Sequence, residues 1–213
     1  MKRNHQEHAG STGQAAFTLV ELLVVISIIA VLAGLTAGLA GRASSAGKVS
    51  RTQSELAQIQ TAIDSYHSQF NYYPPDNRTN AALSPLFYEL GGVISQDGIN
   101  FQAKNSSEKI SQSVIQRLFG VEGIVNQGKE IREVKTFGTF KAAQSAEINT
   151  GPSVRVLVAP VPWPLGDPLP PVPGRPGVNP WRYVSTNPTN NPTRYDLWAE
   201  ILVGKERRII RNW

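Results

Sequence analysis

The sequence predicts an α+β fold: a long N-terminal α-helix packed on a small antiparallel-sheet head. Three observations predict it. Phe17 to Gly41 is apolar except for Glu21 and a few small polar residues. An apolar stripe at helical spacing carries the same helix onward until Pro74 and Pro75. The rest, about 75–213, mixes short helical and β-rich runs with a stretch crowded by Pro, Gly and Asn. At 213 residues the chain is long enough for one ordinary domain with a sizeable core.

The first element follows a polar start. Residues 1–16 read MKRNHQEHAGSTGQAA, and the chain then changes character abruptly. From Leu22 to Gly41 there is no charge. At about 1.5 Å per residue that stretch spans roughly 30 Å, one hydrocarbon core, and predicts a transmembrane helix. Its Gly and Ala content lets neighbouring helices approach closely. A secretory signal peptide has a shorter apolar run with its small-residue cleavage site after it. Here the small residues Ala15 and Ala16 come before the run. Counting charges leaves the topology open, because Lys2 and Arg3 precede the span and Arg42, Lys48 and Arg51 follow it.

Beyond the span, Val49, Leu56, Ile59, Ile63, Tyr66 and Phe70 recur at steps of three, four or seven, the apolar stripe of an amphipathic helix. One helix from Phe17 to Phe70 would be roughly 80 Å long. Its uncovered half must then sit in lipid or against other subunits. In the remainder, residues 84–90 and 109–119 are expected as short helices. Residues 154–158, 181–184 and 195–202 are expected as strands. Between Pro160 and Pro192 an ordered loop region is expected. The densest basic cluster, Lys205, Arg207, Arg208 and Arg211, reads as a solvated tail.

Several function classes find no support. There is no Cys, hence no disulfide framework and no thiolate metal site. His5 and His8 lie in the polar start, and His67 stands alone on the amphipathic helix, as a surface or inter-helix residue. No Gly-rich phosphate loop, His-Glu-x-x-His or Gly-x-Ser-x-Gly motif is present, so an enzyme is not expected. Asp64 reads as an isolated helix carboxylate. The sequons at Asn77 and Asn105 carry little weight. The net charge of +5 permits contact with anionic partners.

The stretch Ala16-Phe17-Thr18-Leu19-Val20-Glu21, leading straight into an apolar span, resembles the processing site of type IV prepilins and type II secretion pseudopilins. That resemblance implies cleavage between Ala16 and Phe17, N-methylation of Phe17, and an assembly role for Glu21. Ala16 departs from the usual Gly. It also implies a pilin-like fold, with the leader in the cytoplasm, a single pass through the inner membrane and the head in the periplasm. Residues 72–74 (YYP), 179–185 (NPWRYVS), 195–198 (YDLW) and the ending Ile210-Arg211-Asn212-Trp213 are similar to the turn, sheet and tail of major pseudopilins. The organisation implied is a leader over 1–16, a transmembrane and assembly helix over 17–41, its amphipathic continuation over 42–74, and a head over 75–213. Residues of about 80–175 exceed the family's usual head and are expected to be an insertion.

Major pseudopilins often bind calcium after the Tyr-Asp strand, through Asp side chains and carbonyls. Here residues 199–208 read AEILVGKERR, without the Asp cluster and with Lys205, Arg207 and Arg208 nearby. A hard cation needs several oxygens with net negative charge, so neither calcium nor another cofactor is expected. The implied partners are further copies of the chain, a prepilin peptidase and methyltransferase, the inner-membrane assembly platform and minor pseudopilins. Nucleic acid is not among them. The resemblance supports a structural subunit of a type II secretion pseudopilus. The alternatives are a type IV pilus or DNA-uptake pilin, and a membrane-anchored envelope protein that does not polymerise. An intramembrane carboxylate such as Glu21 calls for a partner; a place at the headgroup level, or pairing with its own N-terminus, competes with a contact between subunits.

Overall fold

The computed structural model describes residues 17–104, 109–149 and 153–213; of residues 36–40, 42, 149 and 153 only the backbone is described. The leader, Ala16 included, and the sequon at Asn105 lie outside the described residues. The chain divides into two units, Met1–Ser44 and Ser45–Trp213. A single helix, α1, runs over Leu19–Phe70.

In the first unit, α1 carries apolar side chains on all sides. Among the described residues no helix is long and apolar enough to cross a membrane. The expected span over 22–41 includes the five residues 36–40, whose side chains are outside the description.

In the second unit α1 is amphipathic for a physical reason. Thr52, Leu56, Ile59, Ile63 and Tyr66 follow one another at steps of three and four and are all buried, which puts them on one face. Val49 and Phe70 pack against the same core, as the stripe predicts. The helix stops before the prolines. Asn71 takes the left-handed conformation at φ 63 and donates its N–H to the His67 carbonyl at 2.8 Å. Asn is among the residues that reach that region most readily.

The buried face of α1 packs on a sheet of order β7-β8-β9, formed by Arg182–Val184, Asp196–Val203 and Glu206–Arg211, all antiparallel. Along β8 burial alternates, so Leu197, Ala199, Ile201 and Val203 face the core. The β8–β9 hairpin turns on two residues, with Gly204 at φ 65 in the first position. The basic cluster is therefore not a tail: Arg207, Arg208 and Arg211 belong to β9, which is paired along its length and buries Ile210.

A second core lies in the middle of the chain. Strands β1 (Val93–Ile94), β2 (Asn100–Ala103), β3 (Lys109–Ser111) and β4 (Gln127–Gly128) form a sheet of order β3-β2-β1-β4, in which only β1 and β4 are parallel. With α3 (Gln112–Phe119) and the β5–β6 hairpin (Ser145–Asn149, Ser153–Leu157) it buries Phe101, Ile110, Ile115, Phe119, Ile148 and Val154. The helix expected over 109–119 thus begins as a strand. Lys109–Ser111 pairs with β2, and Ser111 is extended at φ −83, ψ 155 before α3 starts. Short helix α2 (Leu86–Gly91) joins the two cores: Leu86 and Leu90 belong to the α1 core, Tyr88 to the second. Within the Pro-rich stretch 160–192 only β7 is a strand; residues 160–181 are irregular but bury Val161, Trp163 and Val172.

Candidate functional site

The N-terminal end of α1 holds the residues singled out for processing and assembly. Thr18 is the cap. Its carbonyl accepts the first helical N–H, from Leu22, at 3.2 Å. Its hydroxyl oxygen accepts the Glu21 N–H at 3.2 Å. Glu21 reaches back: its Oε2 accepts the Thr18 N–H at 2.9 Å and the Thr18 hydroxyl at 2.8 Å. This is a capping box, in which side chains satisfy helix-end N–H groups reciprocally. The sequence signal is Thr-x-x-Glu, which sequence reasoning passed over. It adds a local role for Glu21 that was not among the competing readings. The carboxylate also complements the positive end of the helix dipole.

Phe17 precedes the cap and is 80 % exposed. Its backbone is outside the helix. The structure thus describes Phe17 and Glu21 on one helix start, while Ala16 lies outside it. Further along, the one hydroxyl in the described apolar stretch after Glu21 is satisfied within the helix: Ser27 Oγ donates to the Leu23 carbonyl at 2.7 Å.

In the second unit residues 179–185, 195–198 and 210–213 meet on the β7–β9 sheet. Asn179 Nδ2 donates to the carbonyls of Val161 and Glu200 at 2.8 and 2.7 Å. Asn212 accepts the Leu197 N–H at 2.9 Å and donates to the Tyr195 carbonyl at 3.0 Å, which fastens the ending to β8. Trp213 lies edge-on to Trp198 at 5.8 Å.

Asp64 is not isolated. Arg194 holds it with two bonds of 2.7 and 2.8 Å, a partner 130 residues away that spacing on the helix does not announce. His67 stacks on Tyr73 at 4.3 Å. Asn77 is buried, and its Nδ2 donates to the carbonyls of Leu83 and Leu118, so this sequon is a structural staple rather than a surface acceptor. Among the described residues no group of three or more His, Cys, Asp or Glu is arranged to hold a metal. The two buried aspartates are engaged otherwise. Asp76 accepts the N–H groups of Ser185 and Thr186 and the Thr186 hydroxyl. Asp196 accepts the N–H groups of Asn190 and Asn191 and the Asn190 amide.

Glu89 is a functional candidate that sequence reasoning missed. It is fully buried on α2 and accepts the N–H groups of Val125 and Asn126 and the Tyr66 hydroxyl. Burial pushes its carboxyl up to about 7, against the three hydrogen bonds that favour the charged form. It ties α1 to the second core through one side chain.

Residues 11–37 match the family described as the prokaryotic N-terminal methylation motif. The chain therefore carries a type IV prepilin-like leader. No curated protein and no solved structure matches the chain. Such a leader implies processing by a prepilin peptidase and assembly into a pilus-like filament, the work of a structural subunit.

Proposed function

We propose that this chain is a structural subunit of a type II secretion pseudopilus, a helix-cored periplasmic filament that assists export of folded proteins across the outer membrane. The observation that carries the reading is the sequence of the helix start. A small residue, then Phe-Thr-Leu-x-Glu, runs directly into a helix half whose large apolar side chains are exposed from Leu19 to Leu35. In this reading Phe17 becomes the methylated N-terminus after cleavage at Ala16. The apolar half of α1 anchors the subunit in the inner membrane, with the leader in the cytoplasm and the head in the periplasm. It then becomes the filament core as copies stack on the assembly platform with minor pseudopilins. Glu21 bonds its own helix end before assembly and meets a neighbour's Phe17 amine within the filament, where water and salt screen the pair little. The resemblance of residues 179–185, 195–198 and the ending Ile210-Arg211-Asn212-Trp213 to major pseudopilins favours secretion. The net charge of +5 favours the second reading, a pilus or DNA-uptake filament.

Two measurements test this. Mass spectrometry of the protein from membranes is expected to find a chain starting at methylated Phe17. An intact Met1 or Lys2 start, where the peptidase is present, would overturn the reading. Deletion is expected to stop secretion of folded proteins. Loss of twitching or DNA uptake with secretion intact would move the subunit to the second reading.

A further inference from the structure

The two edges of the β7-β8-β9 sheet differ. At the β7 edge, Tyr183 donates its N–H to the Ala81 carbonyl at 3.0 Å, and Trp181, just before the strand, donates to the Leu157 carbonyl at 2.9 Å. β9 forms the other edge. Its pairing with β8 fixes which of its groups face outward. The hairpin closes on Val203 opposite Glu206, and Asn212 donates its N–H to the Leu197 carbonyl at 3.2 Å. Bonded positions alternate along an antiparallel pair, so Glu206, Arg208 and Ile210 bond β8. The N–H and C=O groups of Arg207, Ile209 and Arg211 point away from it, and among the described residues nothing bonds them. Every residue of β9 except Ile210 is exposed.

Such an edge is a template for a further strand, and its side chains select which. From Lys205 to Arg211 there are four cations and one acid, Glu206. Arg208 lies 3.7 Å from Glu206, an exposed pair of little strength, and Arg211 lies over the Trp213 ring at 5.3 Å. Each guanidinium has five N–H donors, enough to meet a further carboxylate. A second copy of the chain fits badly here. Antiparallel pairing of two β9 strands about Ile209 sets Arg207 of each opposite Arg211 of the other, and like charges directly opposite are destabilising. An acidic strand reverses the sign of those contacts.

We infer that the outer edge of β9 takes an extended acidic segment of another protein as a fourth strand of this sheet. The segment runs antiparallel to β9. Its carboxylates lie opposite Arg208 and Arg211, and an apolar side chain lies beside Ile209, which is 53 % exposed. Main-chain bonds to β9 supply affinity, and the charges supply specificity. The edge lies within one unit and does not rest on the filament reading.

The test uses the full chain in an uncharged detergent and fluorescence anisotropy of the labelled peptide Thr-Glu-Thr-Val-Glu-Thr. Saturable binding is expected. The same peptide with an N-methyl group on its Val loses a main-chain donor and is expected to bind about tenfold more weakly. Replacing both Glu by Lys is expected to abolish binding. In the protein, Ile209→Pro removes an N–H that faces outward and leaves the bonds to β8 in place, and it is expected to weaken the peptide about tenfold. Arg211→Glu is expected to weaken it as well and to admit the Lys peptide. Equal binding of the N-methyl peptide would reduce the contact to charge alone and overturn the inference, whether or not Ile209→Pro folds. Equal binding of the Lys peptide, or no saturable binding of the Glu peptide, would overturn it too.

Discussion

From Leu19 to Leu35 the large apolar side chains of α1 are 46 to 79 % exposed and point to every side, with Glu21 and Ser27 as polar exceptions. From Thr52 to Tyr66 the same helix has one apolar face, and that face is buried. The second pattern is an ordinary globular contract: one stripe covered by a sheet, the other faces left to water. The first cannot be met by any single packing partner. Helices apolar all round are stable in lipid or among other helices. The proposed anchor and filament core supplies both surroundings in turn.

The largest effect expected from breaking this contrast is at its one charge. Glu21→Ala should leave insertion, processing and folding of the second unit nearly normal and lower filament yield sharply. It also removes a helix cap worth about 1 kcal/mol, so a second variant is needed. Glu21→Gln keeps the capping acceptor, since Gln serves in a capping box as well as Glu, and removes only the charge. It is expected to fail in assembly as Glu21→Ala does. Glu21→Asp, with charge but shorter reach, should be intermediate. The readout is filament yield by electron microscopy at equal membrane protein level by blotting. Normal filaments from Glu21→Gln would assign the residue to capping alone.

The two halves of α1 should also differ in what a cavity costs. Ile63 is fully buried in the α1 core. Ile63→Ala is expected to destabilise the second unit by about 2–5 kcal/mol, measured by chemical unfolding followed by tryptophan fluorescence. Val31→Ala in the apolar half should leave that transition where it is. A comparable loss from both would mean that the halves are not independent in the way their burial suggests.

A third effect tests the tie between α1 and the second core. Glu89 titrates at about 7 in the fold and near 4.5 as an ordinary Glu. Between those values the folded chain keeps a proton that the unfolded chain releases. Stability contributed by this group is therefore full below about pH 4.5 and falls as pH rises toward 7, by an amount on the order of 3 kcal/mol. Glu89→Gln should flatten that slope in unfolding curves taken across the window. Its amide nitrogen meets the Val125 or Asn126 N–H, so absolute stability drops, but the slope is the readout. An unchanged slope would show that the carboxyl is ionised throughout.

What was legible in the sequence was what repeats along one element. The apolar run, the stripe from Val49 to Phe70, and the strands near 154–158, 181–184 and 195–202 all carry a local period. β9 was missed because Glu-Arg-Arg-Ile-Ile-Arg shows no clean alternation and its order comes from pairing with β8. β1 and β4, two residues each, are too short to show a period at all. The Asp64–Arg194 pair and the Glu89 contacts bridge distant parts of the chain, and no local spacing records them. The capping box at Thr18 was local and readable. It was passed over because the same residues resembled a processing motif, and one explanation displaced another that also holds.

The smallest effect expected is none, and it concerns calcium at the loop between β7 and β8. Residues 185–191 are fastened here by two aspartates, whose oxygens accept four backbone N–H groups, one amide and one hydroxyl. A cation at either carboxylate would have to displace those donors, and each buried N–H so released costs about 1–3 kcal/mol. Among the described residues no group of three or more His, Cys, Asp or Glu gathers there, and two carboxylates already bonded carry too little free negative charge to repay that. A chelator should therefore leave the thermal midpoint of the full chain in detergent unchanged, and calcium added in excess should not raise it. Asp196→Asn should lower it, since its amide would point an N–H group at the Asn190 or Asn191 N–H. A midpoint that falls with the chelator and recovers with calcium would mean that a cation, and not the loop's own donors, holds this end of the sheet.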